Sequence, residues 1–155
     1  MLAIVTLGAA QTPEAPELSP LEKEFEQSMS GVILRGYFTT RDGKDLQQDE
    51  YVIDRISKVK EDLWRFEGRI KYGGKDLKMA MNFPVKWAGD TPVISVTNLG
   101  IPGSGVYTAR VVIYKGDYAG TWSGGKIGGK MFGSIVKQAD AAGSTDAPKQ
   151  PDPVK

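Results

Sequence analysis

The sequence predicts an all-β fold: an up-and-down antiparallel meander of about eight strands, closed into a barrel, behind one short N-terminal helix. Three observations lead there. Apolar residues recur with a period of two from Gly31 to Lys137. The apolar runs are joined by short Gly-, Pro- and Asp-rich links with no helix between them, and short links force antiparallel neighbours. The registers implied by the tightest links set apolar residues opposite apolar ones. Closing such a meander removes its edge strands.

The first element is helical. In "SPLEKEFEQSM", Ser19 is a helix N-cap, Pro20 stands at the first helical position and Glu22 completes a capping box. Leu21, Phe25 and Met29 form a narrow apolar stripe, and Gly31 ends the helix. "GVILRGYFTT" is the first strand, "RDGK" a turn and "EYVIDRISKV" the second strand. In "LWRFEGRIKY", Trp64, Phe66, Gly68, Ile70 and Tyr72 share one face, with Arg65, Glu67, Arg69 and Lys71 on the other. "KDLKMAMNFPVKW" alternates likewise, with Leu77, Met79, Met81, Phe83, Val85 and Trp87 on one face. A Gly73-Gly74 turn pairs Ile70 with Leu77, Gly68 with Met79, Phe66 with Met81, Trp64 with Phe83 and Lys71 with Asp76. A loop with an odd number of residues would set every apolar residue against a polar one.

"AGDTP" is a turn, "VISVTNL" a strand and "GIPGSG" a loop. "VYTARVVIYKGDYAGTW" makes a hairpin about Lys115-Gly116, with Ile113 facing Tyr118, Val111 facing Gly120 and Ala109 facing Trp122. "MFGSIV" is the last strand. These elements set the domain limits. Residues 1–10 read as the remnant of a secretory signal, with Gly8 and Ala10 as small residues before a cut at Gln11. Residues 11–18 are a Pro-rich linker, 19–137 the helix and barrel, and 138–155 a disordered tail. A signal would place the mature protein in a periplasm or outside the cell.

Composition excludes much chemistry. The 155 residues carry 20 Lys+Arg and 19 Asp+Glu, a net charge of +1, so no electrostatic pull toward nucleic acid is expected. The apolar N-terminal run is too short to span a bilayer. With no Cys and no His, disulfides, thiolate or imidazole metal sites and His-dependent triads are excluded, and no cofactor or metal is called for.

The stretch "SGGKIGGKM" carries the spacing of a phosphate-binding loop, with Gly124 and Gly129-Lys130. Met131 stands where such a loop needs Ser or Thr, and the run from Met131 to Lys137 is strand-like rather than helical. These glycines read instead as turn residues between the last two strands, while Gly120 and Gly133, inside strands, suggest tight bends or close packing over an aromatic ring.

"GTW", Gly120 to Trp122, resembles the G-x-W signature of the lipocalins and avidins, the calycin barrels, here on the seventh predicted strand. The resemblance implies an internal pocket for a small, largely apolar ligand.

Trp64, Phe66, Met79, Met81, Phe83 and Trp87 are candidates to line such a cavity or to fill a solid core. Asn98, Ser104 and Tyr107, on the longest connection, are polar candidates at a barrel mouth. The charged row from Arg65 to Lys71 reads as a solvated face, and Arg110 as solvent-facing. Asp42, Asp45, Asp49, Glu50 and Asp54 read as a polar hairpin loop, since their spacing fits no calcium loop.

The function expected is non-catalytic binding of a small apolar or amphipathic ligand by an exported protein. Two readings stand beside it: a structural or interaction module of the cell envelope with a solid core, and a small barrel enzyme using carboxylates or Tyr. The sequence leaves the oligomeric state open.

Overall fold

The computed structural model describes residues 15–40 and 45–142. It contains α1 (Pro20–Met29), then β1 (Val32–Thr39), β2 (Leu46–Lys60), β3 (Leu63–Tyr72), β4 (Lys75–Ala88), β5 (Thr91–Ile101), β6 (Gly105–Tyr114), β7 (Asp117–Gly124) and β8 (Ile127–Lys137), with α2 (Gln138–Ala141) last. The eight strands form a closed antiparallel barrel in sequence order, β8 returning to β1. The expected fold class is therefore the one observed. The predicted "RDGK" turn, the signal, most of the linker and residues from 143 onward lie outside the described residues.

Both predicted hairpin registers hold. Ile70 pairs with Leu77, Phe66 with Met81, Trp64 with Phe83 and Lys71 with Asp76. Ile113 pairs with Tyr118, Val111 with Gly120 and Ala109 with Trp122. Outside the barrel the charged row makes local ion pairs. Arg69 grips Asp76 through two bonds of 2.9 and 2.8 Å, and Glu50 sits between Arg35 and Lys71 across three strands. With side chains 23% to 56% exposed, these pairs decorate a solvated face rather than hold the fold.

The helix closes one end. Ser19 and Glu22 form the capping box, with bonds of 2.9 and 3.3 Å. Phe25 and Met29 are buried, and Phe25 stands edge-on to Trp64 and Trp87, with centroids 5.1 and 5.8 Å away. Leu21, the first residue of the stripe, stays exposed. Glu22 anchors the helix to β2 through a 2.6 Å ion pair with Lys58. Ser30, just after the helix, accepts a bond from the Ile56 amide beside a bulge in β2.

Several boundaries differ from the sequence reading, among them the start of β2, at Leu46 rather than Glu50. Strand β5 runs on to Ile101, so the connection to β6 shortens to Pro102–Ser104. A bulge at Thr97 and Asn98 absorbs the extra length, with Asn98 at φ +51°. The last strand begins at Ile127, not Met131, and the turn before it is Gly125-Lys126. Of the glycines assigned to that connection, Gly125 has positive φ, but Gly128 and Gly129 lie in β8. There they allow close approach: a side chain on Gly129 would strike the Thr39 carbonyl, and one on Gly128 would come within 2.7 Å of the Trp122 carbonyl. Finally, Gln138–Ala141, assigned to the tail, form a helical turn. The Gln138 amide donates to the Gly31 carbonyl, and its side chain to the Ile53 carbonyl and Asp54.

Candidate functional site

The meander gives the barrel two unlike ends. The β2–β3, β4–β5 and β6–β7 turns gather at the end that α1 covers, and the remaining turns surround the other end, the mouth. Inward side chains beneath the helix are sealed: Trp64, Ile56, Val85 and Phe66 are at most 2% exposed. Those toward the mouth, Phe38, Tyr51, Ile70, Leu99 and Trp122, pack against the core but stay half-buried. Exposed Leu46, Val106 and Ile127 line the rim.

The wall is also incomplete. Strands β4 and β5 pair only from Val85–Ile94 to Ala88–Thr91, although both continue toward the mouth. Pro84 explains the break. The Val85 amide donates away from β5, to the Asp62 carbonyl at 2.7 Å. Successive amides alternate sides along a strand, so the nitrogen of Pro84 faces β5 and carries no proton. On the other side, Arg110 takes the Val96 carbonyl at 2.6 Å and Thr97 Oγ1 at 3.1 Å, which fixes the β5 bulge. The result is a seam on the mouth side, with half-buried Met81, Val96 and Leu99 on its inner borders.

One polar group faces this apolar interior. Asp49 is 3% exposed and accepts from Tyr51 Oη at 3.0 Å and Tyr118 Oη at 3.1 Å. Tyr118 reaches it along a row of register partners: Tyr118–Gly133, Gly133–Gly36 and Gly36–Asp49. A side chain on Gly36 would lie 2.6 Å from the Tyr118 hydroxyl, and one on Gly133 2.8 Å from its ring. The glycines are thus the floor on which Tyr118 lies. Burial holds the Asp49 carboxyl above the usual range, against the opposing pull of the Tyr51 and Tyr118 hydroxyls. Burial and then the neighbouring Asp49 push the Tyr118 phenol up strongly, so it stays a donor.

The predicted candidates divide into three groups. Trp64, Phe66, Met79 and Phe83 are buried on the β3–β4 hairpin, with Phe66 and Phe83 rings 5.2 Å apart. Trp64 and Phe83 lie toward the plug, where Trp64 Nε1 has no hydrogen-bond partner among the described residues, while Met79 lies on the mouth side of Met81 along β4. Trp87 and Met81 are half-buried, Trp87 against α1 and Met81 at the seam. Ser104 and Tyr107 meet on the β5–β6 turn, with hydroxyls 2.9 Å apart and the tyrosine also donating to the Ser104 carbonyl. Asn98 stands apart in the bulge, its amide bonded to Thr108.

Sequence reasoning placed Asp49 in a polar loop; it is a buried residue of β2 instead. Its alternation with Tyr51 and Ile53 was the available signal, masked by the acidic residues around it. Pro84 in an otherwise regular strand was the signal for the seam. Trp122, the tryptophan of "GTW", reaches across Gly129 of β8 to the end of β1, donating to the Thr39 carbonyl at 3.2 Å and meeting Phe38 edge-on at 5.8 Å.

The fold and site define a closed eight-stranded meander barrel, plugged at one end and open along a seam at the other. No family model and no curated protein matches the chain. Among solved structures it is similar to apo lipid binding protein 8 of Caenorhabditis elegans, with 13% identity over 70% of this chain and 96% of that one, at a TM-score of 0.36. Among the described residues no helix is long and apolar enough to cross a membrane.

Proposed function

We propose that the protein binds a small amphipathic ligand in the mouth half of the barrel, admitted through the β4–β5 seam, and that it does so as an exported protein. The observation that carries this reading is the contrast between the two halves. The helix side is packed with aromatic rings, while Phe38, Ile70, Leu99 and Trp122 toward the mouth remain half-buried, above sealed Leu34, Met79 and Met131. Phe38, Met81, Leu99 and Trp122 offer apolar contact, and Asp49 with its two tyrosines offers a polar end. Export rests on the apolar residues 1–10 and the small residues Gly8 and Ala10.

Titration with dodecanol, read by tryptophan fluorescence, tests the binding reading. A saturable change with one site per chain is expected, because Trp122 stands in the mouth. Leu99→Arg, which puts a charge on the seam, should abolish it, whereas Lys23→Ala on the outer helix face should not. A wild-type chain that gives no saturable change with dodecanol, dodecylamine or dodecanoate overturns the binding reading.

A further inference from the structure

We propose that the interior site selects a ligand whose polar end is a protonated amine, held by Asp49 with Tyr51 and Tyr118. This inference rests on the binding reading and names the class of head group.

The grounds are the sign and the partners of the buried group. Asp49 faces the barrel interior on β2, in alternation with Tyr51 and Ile53. A carboxylate offers about four acceptor positions; the two tyrosine hydroxyls use two of them and the Asp49 backbone amide leans on a third. Both tyrosines are donors here, so the remaining capacity is for accepting, and only a donor can use it. No lysine or arginine of the described residues is paired with Asp49. Lys58, at the helix end, is paired with Glu22 instead, and Arg35, on the neighbouring strand, points outward to Glu50. A buried carboxylate without a cation is costly, and a ligand ammonium supplies the missing charge together with N–H donors. A fatty-acid carboxylate would bring a second negative charge to the same place, the arrangement in which two carboxylates cannot both stay ionised. The surrounding walls are apolar: Leu34 and Phe38 on β1, Ile53 on β2 and Met131 on β8. They suit an alkyl chain.

The experiment compares dodecylamine, dodecanol and dodecanoate on the full chain at neutral pH, each measured by displacement of an environment-sensitive apolar dye. Dodecylamine should bind about tenfold or more tighter than dodecanoate, with dodecanol between. In Asp49→Asn the spread should collapse to about threefold or less, because the amide still accepts from one tyrosine and donates its NH2 to the other hydroxyl, but carries no charge. Dodecanoate binding as tightly as the amine, or an amine preference that survives in a folded D49N, overturns the inference and leaves the binding reading standing. If D49N does not fold, the Asp49 carboxyl carbon in the wild-type chain decides by NMR. It should shift with dodecylamine in proportion to occupancy, and an unmoved signal at saturation overturns the assignment. If none of the three amphipaths binds, the binding reading fails, and the head-group assignment with it.

Discussion

Tyr118 donates to Asp49 over 3.1 Å although three strand-to-strand steps separate their positions in the sheet. At about 4.8 Å per step the backbones are on the order of 14 Å apart along the wall. A tyrosine spans that gap only by lying flat, and Gly133 and Gly36 are what it lies on. Tyr118→Phe should therefore cost about 1–3 kcal/mol in a denaturant titration. Gly36→Ala should cost at least as much, since its methyl displaces the hydroxyl and also meets the Phe132 carbonyl. The double variant should lose less than the sum, because both changes break one contact. Additive losses would separate the glycine row from the tyrosine.

Asp49 sets one limb of the stability–pH profile. Unfolded, it ionises near its ordinary value of 3.8; folded, burial outweighs the two hydroxyls and raises it. Between those values the folded state holds a proton that the unfolded state has lost. Stability therefore increases as pH falls through that window. Glu22 and Glu50 act oppositely. Burial raises each, but Lys58 with Ser19, and Lys71 with Arg35, outweigh it and lower both from 4.5. Their contribution is present above 4.5 and is lost as pH falls through their lowered folded values. Urea titrations at stepped pH should show both limbs in the wild type and only the second in D49N.

The plug should be separable from the barrel. Ser19→Ala removes one cap bond and should cost about 1 kcal/mol. Phe25→Ala withdraws the ring between Trp64 and Trp87 and should cost about 3–5 kcal/mol, with a red-shifted tryptophan emission. Unchanged emission would mean that the indoles do not depend on the helix for their shelter.

Hydrogen exchange should map the seam. Amides of β5 between Ser95 and Ile101 that face β4 should exchange much faster than those bonded to β6, since no strand pairs with them there. Equal protection on both sides would close the seam.

The fold was legible because its signals were local and repeated. Trp64 to Phe83 could be registered from one Gly-Gly turn, and Ser19 to Glu22 spelled out a cap. The site was less so, because it depends on residues far apart in sequence. Asp49 and Tyr118 meet only after β8 closes on β1, and nothing near Asp49 distinguishes it from the acidic residues beside it. The glycines of β8 misled for the same reason. Gly129 is explained by Thr39, whose carbonyl occupies the space a side chain would need, and not by any turn of its own.

The short β4–β5 ladder makes the ring a bracelet with one clasp. Four rungs, Val85–Ile94 to Ala88–Thr91, hold it shut, whereas β3 and β4 share ten. Unfastening them leaves every other hairpin intact and extends the two bare margins at the seam along the whole of β4 and β5. Such margins invite stray strands from other copies. Strand β4 carries its own guards against that: Pro84 denies a rung to any newcomer, and exposed Lys78 and Lys86 set a hydrated charge on either side of it. The residues that keep the clasp short also keep its opening from becoming a seed for aggregation.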